Sequence, residues 1–276
     1  MKYAVCNELF GELALGEAAR VTRKAGYSGL EFAPYTIFGD FSAAAMREGI
    51  RKAREALSGE GLSFVGFHWL LAKPEGLHLA SPDPRTREKT LDHLRRLIDC
   101  AGELGGGVLV LGSPRQRGSS PGVSKEEATA ALVGAFRELG PPANACGCSI
   151  LLEALSSEQT DVVNSLGEAA RIVEEVANPG VATMLDFHNA RREADPWEKL
   201  IARHFDRIRH IHANEIDGRA PGTGRSNYRP AFDALAARGY RGWISVEIFE
   251  TPQDPEAVLR GSMELFERLE TRGGTP

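Results

Sequence analysis

Residues 181–215 read VATMLDFHNARREADPWEKLIARHFDRIRHIHANE. An apolar run, a polar loop, a stretch with helical spacing over 196–204 and a second apolar run follow one another. The runs VATMLDFHN (181–189) and RHIHANE (209–215) are short and apolar at their starts, as strands buried on both faces should be. Strand, helix, strand in that order implies parallel neighbours joined by a right-handed crossover.

The same unit repeats outward in both directions. Further candidate strands are YAVCNEL (3–9), GLEFAP (29–34), SFVGFHW (63–69), VLVLGSP (108–114), SILLEAL (149–155) and WISVEIFE (243–250). Apolar residues at three- and four-residue intervals predict helices over 17–25, 43–57, 86–104, 125–139, 167–177, 196–204, 229–237 and 255–269. Ser124 followed by Glu126 and Glu127 reads as an N-cap with acids in the first turn. Gly26, Gly61, Gly105, Gly140 and Gly239 read as helix stops. Eight strands and eight helices in 276 residues match a closed (β/α)8 TIM barrel of the α/β class. An open doubly wound sheet shows the same alternation and differs only in closure. No Pro/Ser-rich linker or charge block divides the chain, so residues 1–276 are expected to form a single barrel domain. The longest irregular stretch, 72–88, follows strand three on the face that would carry a site, where it could serve as a lid.

Composition narrows the function. The net charge is −5, against the basic surplus that binding to a phosphate backbone needs, so nucleic acid is not expected as a partner. Hydrophobic residues at 42% and charged residues at 26% are ordinary globular values. No stretch approaches the roughly 18 apolar residues of a membrane span. The start, MKYAVCNELFGE, meets Glu8 too early for a secretory signal. Cys6, Cys100, Cys146 and Cys148 form no zinc-type pair, and Cys146-Gly147-Cys148 is too tight for ordinary disulfide geometry. Free thiols and a cytoplasmic location are expected.

A buried parallel strand should be apolar throughout, yet four successive strands break that rule near their C-terminal ends. They carry Glu153, Asp186, His212 and Glu247, spaced 33, 26 and 35 residues apart. Each interval is about one strand-plus-helix unit, so the four recur at equivalent heights, at the barrel end that carries active sites. One such glutamate is more often a capped or ion-paired residue; four in register are not explained that way. Three carboxylates and an imidazole in a low-dielectric mouth would repel at a cost of several kcal/mol. A divalent cation offsets this, and three hard oxygens with one nitrogen suit Mn²⁺, Mg²⁺ or Co²⁺, with Zn²⁺ also compatible.

Neighbouring residues extend the constellation. His188, two residues past Asp186, shares its face and reads as a substrate contact. His210 shares the face of His212 one layer deeper and reads as a core histidine bonded to a neighbour. Arg219 either clamps a substrate group or sits on a surface loop, and Gly222-Thr223-Gly224 either presents N–H groups to an anion or is an ordinary turn. His68 and Trp69 end strand three, where Trp69 either stacks on a sugar or caps the core. Glu31 could orient a group in the mouth, and Arg115 could reach a substrate anion.

With these residues in place, the chain resembles the sugar phosphate isomerase/epimerase group of xylose isomerase-like barrels, which includes ketose 3-epimerases, hydroxypyruvate isomerase and inosose dehydratase. The resemblance spans essentially the whole chain. It rests on GYSGLEF (26–32), LLEAL (151–155), MLDFHNA (184–190), HIHANE (210–215), PGTG (221–224) and GYRGWISVEIF (239–249), and above all on the order Glu…Asp-x-His…His…Glu. It implies that Glu153 and Glu247 bind the metal and also move protons, that Asp186 and His212 complete the ligand set, and that His188 and Arg219 hold substrate. One departure stands out. Related members commonly carry an Asn-Arg pair after strand five, where this chain has Ser156-Ser157 and then Gln159. The resemblance also implies a homodimer or homotetramer.

The expected activity is isomerisation or epimerisation of a ketose or related sugar, phosphorylated or not, by α-proton transfer through a metal-stabilised cis-enediolate. A metal-dependent dehydratase of an inosose-type sugar uses the same intermediate and stands as the alternative. An endonuclease IV-like hydrolase is disfavoured by the acidic charge and by a strand-four end without histidine, and a non-catalytic sugar-binding protein would lack the metal.

Overall fold

The computed structural model describes residues 1–271. Its elements run β1 (Lys2–Cys6), α1 (Leu15–Lys24), β2 (Gly29–Phe32), a short α2 (Pro34–Ile37), α3 (Ala43–Glu60), β3 (Ser63–Phe67), α4 (Pro84–Glu103), β4 (Gly107–Leu111) and α5 (Lys125–Ala145). They continue with β5 (Cys148–Leu152), α6 (Leu166–Val176), β6 (Val181–Asp186), α7 (Trp197–His204), β7 (Ile208–Ala213), α8 (Arg229–Ala237), β8 (Trp243–Val246) and α9 (Pro255–Thr271). The strands close into one barrel in sequence order, every neighbouring pair parallel, with β1 beside β8. Closure decides between the barrel and the open sheet. Among the described residues no helix is long and apolar enough to cross a membrane.

Local chemistry explains several of the ends. Ser42, Asp83 and Ser165 accept hydrogen bonds from the first turns of α3, α4 and α6. Ser124 forms a capping box with Glu127 at the start of α5. Gly61 closes α3 in the left-handed region. Gly140 does not stop a helix as expected: α5 runs on through Pro141 and Pro142 to Ala145. Its role is close approach, because a Cβ there would lie 2.9 Å from Asn178 and Val181 side-chain atoms. Burial of Phe136, Leu139 and Ala143 on that helix outweighs the interior prolines.

The barrel bore alternates with period two along each strand. Val110, Leu151, Ala182 and Met184 make a small apolar plug inside it, separate from the large core between strands and helices. One step toward the C-terminal end, the same inward rows carry Glu153, Asp186, His212 and Glu247. The strand-three loop is not a free lid. Leu77, Leu79 and Ala80 are buried, Leu79 N–H donates to the Gln116 carbonyl (2.8 Å) and His78 N–H to Thr90 Oγ1 (2.9 Å).

His93 on α4 supports that loop by donating from Nε2 to the Leu70 carbonyl (2.9 Å). Burial pushes its pKa down to about 4 against the opposing hydrogen bond. The folded protein therefore holds His93 neutral, while the unfolded chain takes up a proton below about 6.5. The stabilisation is complete above pH 6.5 and is lost as pH falls toward 4. In urea denaturation, His93→Gln is expected to lose less stability between pH 7 and pH 4.5 than the parent.

Candidate active site

The site is built on residues that end or just follow strands. Glu153 follows β5, Asp186 ends β6, His212 lies in β7 and Glu247 follows β8. Register sets Asp186 beside His212 and His212 beside Ser245. All four side chains are buried, and ligand atoms of Glu153, Asp186 and His212 lie within 4.8 Å of one another. His212 Nδ1 is 3.2 Å from Glu247 Oε2 and 3.9 Å from Asp186 Oδ2.

The imidazole decides what this cluster can hold. Glu31, buried on β2, accepts from His212 Nε2 (3.0 Å), His210 Nε2 (2.8 Å) and Ser245 Oγ (2.7 Å). With Nε2–H committed, Nδ1 turns toward two carboxylates and makes no hydrogen bond. A lone pair facing anionic oxygens requires a proton or a cation between them. A buried imidazole anchored by a carboxylate, with its other nitrogen facing carboxylates, fits a divalent cation.

The electrostatics agree. Burial, then the Asp186 and Glu247 carboxylates, push Glu153 up to about 8. Burial, then Glu247, push Asp186 up to about 7. Burial acts upward on Glu31 and Glu247 too, but the imidazoles beside them hold both below the ordinary carboxylate range. Burial acts downward on His212, and Glu31 with Glu247 outweigh it and hold it well above the usual range.

Neighbouring side chains hold the carboxylates in place. Asn189 Nδ2 donates to Glu153 Oε1 (2.9 Å) and Gln159 Nε2 donates to Asn189 Oδ1 (2.7 Å). Asn214 Nδ2 and the Asn189 N–H donate to the two oxygens of Asp186 (2.9 and 2.6 Å). Gly112 is needed because a Cβ there would lie 2.2 Å from Glu153 Oε2. Arg117 is fully buried and donates to the carbonyls of Leu111 (3.0 Å) and Glu153 (2.7 Å), tying β4 to β5 under the site. Burial pushes it down to about 10. Asn189 and Asn214 follow Asp186 and His212 by three and two residues, which was a usable signal; nothing local separates Arg117 from Arg115, which is exposed.

Other expected residues divide. His188 is half-buried, its ring 4.8 Å from Phe249 and edge-on, with Nδ1 unpartnered. Trp69 lines the mouth in a left-handed conformation (φ 52°). His68 lines it from beneath, donating from Nε2 to Glu8 Oε2 (2.7 Å). Arg219 is not brought in: it is exposed and pairs with Asp217 (2.8 Å), two residues back in its own loop. The 222–226 loop does cradle an anion, but it is Glu215, which accepts from Gly222 N–H (2.9 Å) and Ser226 N–H (3.1 Å).

The chain is similar to several known proteins. The D-psicose 3-epimerase of Ruminiclostridium cellulolyticum is 28% identical over 232 residues, 82% of this chain and 75% of that one. The fructoselysine 3-epimerase of Shigella flexneri is 23% identical over 270 residues, 93% and 94% of the two chains. Among solved structures, an L-ribulose 3-epimerase matches with a TM-score of 0.84 at 18% identity over 99% of this chain and 96% of that one. A family 2 AP endonuclease from Brucella melitensis matches with a TM-score of 0.76 at 23% identity over 97% and 98%, a likeness of fold alone. A family model described as a xylose isomerase-like TIM barrel matches residues 19–269. The chain belongs to the xylose isomerase-like TIM barrel family.

Proposed function

We propose that the protein is a divalent-metal-dependent epimerase of a keto-sugar. The observation that carries the reading is His212: Nε2 anchored on Glu31, Nδ1 unpartnered and aimed at Asp186 and Glu247. Glu153, Asp186, His212 and Glu247 would hold the ion. A bound Mn²⁺, Mg²⁺ or Co²⁺ supplies Lewis-acid stabilisation of the charge that develops on the sugar oxygens. The chain supplies the rest. Glu153 and Glu247 stand on strands separated by β6 and β7, so they can approach the α-carbon from two sides. One takes the α-proton and the other returns it, which inverts the carbon. Asn189 and Asn214 fix the carboxylates, and the buried mouth excludes bulk water. The names of the epimerases similar to this chain support the same reaction class.

The test is proton NMR of metal-replete protein in D₂O with a panel of keto-sugars. Exchange of an α-proton with inversion is the expected result; loss of a hydroxyl would identify the dehydratase. Stripping the metal with EDTA should take exchange to background and lower the unfolding temperature. Readdition of Mn²⁺ to about 100 times its Kd should restore both, with roughly 2.7 kcal/mol of added stability.

A further inference from the structure

Pairing between β4 and β5 runs out at Leu111 and Leu152, so Glu153 stands one residue beyond the last rung. Its N–H reaches the Leu111 carbonyl only at 3.4 Å. Arg117 supplies what the ladder lacks. Nη1 bridges the carbonyls of Leu111 (3.0 Å) and Glu153 (2.7 Å), and Nη2 donates to the Val162 carbonyl (3.4 Å). Leu111 precedes Gly112, which packs against the Glu153 carboxylate. Val162 belongs to the loop after β5, whose Gln159 holds Asn189 and through it Glu153 Oε1. One guanidinium thus fixes the main chain on both sides of this carboxylate.

A neutral amide could bridge carbonyls, and a fully buried charge is costly unless another charge compensates it. Every hydrogen bond of Arg117 goes to a neutral carbonyl, and Nε has no partner among the described residues. The charged group that acts on the guanidinium is Glu153. Three carboxylates around one divalent ion leave one negative charge unmatched, and Arg117 brings a positive charge to the Glu153 side of the cluster. Glu247 is held differently. Its N–H follows the ladder to the Ala213 carbonyl (3.2 Å), and its carboxylate faces His212 (3.2 Å).

We infer that Arg117 is a positioning residue for one half of the proton transfer, holding Glu153 in place and balancing its charge while leaving Glu247 alone. This rests on the epimerase reading above. In that reaction one carboxylate takes the α-proton as the C–H bond breaks, and the electron pair stays on the sugar as an enediolate. A proton from the other carboxyl forms the new C–H bond, and both groups re-equilibrate with water. Without Arg117 the steps at Glu153 slow and those at Glu247 do not. From the epimer that Glu247 deprotonates, the intermediate then returns more often through Glu247, carrying solvent deuterium and without inversion.

The test starts from each member of the D-fructose/D-psicose, D-tagatose/D-sorbose and L-ribulose/L-xylulose pairs, with Mn²⁺-loaded protein in D₂O. Aliquots quenched in EDTA are read by NMR for exchange without inversion and for inversion. Arg117→Met is expected to lower kcat about 10²-fold with KM little changed. Its ratio of exchange to inversion should rise at least tenfold from one epimer only. Arg117→Lys keeps the charge but not the fork, and should raise that ratio at least threefold, again from one epimer. A structural defect lowers the active fraction and leaves both ratios as in the parent. Parent-like ratios in both variants therefore overturn the inference and leave the epimerase reading standing. An equal rise from both epimers assigns Arg117 to the whole cluster and also overturns it. If Arg117→Met does not fold, Arg117→Lys decides by the same ratios. A parent that interconverts none of the pairs overturns both readings.

Discussion

Glu247→Gln, saturated with Mn²⁺, is expected to lose about 10³-fold of α-proton exchange while still binding the metal. Glutamine keeps an oxygen for the ion and the shape that packs after β8, but it cannot accept a proton. Glu247 Oε2 lies 3.2 Å from His212 Nδ1, so the substituted amide stays within the same cluster. The measurement is deuterium uptake by NMR beside a metal titration of the same sample. Undiminished exchange with full metal occupancy would refute the proton-transfer role.

Glu31→Ala should show the largest loss of stability. The carboxylate is fully buried and takes hydrogen bonds from His210, His212 and Ser245, so its removal strands three buried donors. The expected cost is about 3–5 kcal/mol, the range for breaking a buried charged network. Freed from Glu31, His212 also loses the bond that turns Nδ1 toward the site, and a fall of roughly 10–100-fold in metal affinity should follow. Urea denaturation and chelator competition measure the two effects separately. Glu31→Gln, which keeps an acceptor oxygen, should recover part of the stability. Unchanged metal affinity in both variants would show that the imidazole is held by its packing alone.

The repeating unit was legible because its signals are local. Strand runs, helical spacing and caps such as Ser124 each sit within a few residues of one another. Strand ends were less legible. YAVCNEL and WISVEIFE overran β1 and β8, which stop at Cys6 and Val246, because the side chains that follow a strand into the mouth continue its pattern without its pairing. Gly140 misled for a related reason: a glycine between helix-forming stretches looks like a stop, and only the approach of residues 178–181 shows why it lies inside α5.

By itself the sequence determined the eightfold alternation and the four polar residues at strand ends, since both are written as intervals along the chain. Only the tertiary structure decided that the barrel closes. Closure brings Glu31 against His210, His212 and Ser245, partners 179, 181 and 214 residues away. It also decided that Arg117 is buried while Arg115 is exposed. Those outcomes depend on which surfaces meet across the bore and the loops, and contacts at such separations leave no period in the chain that could be read beforehand.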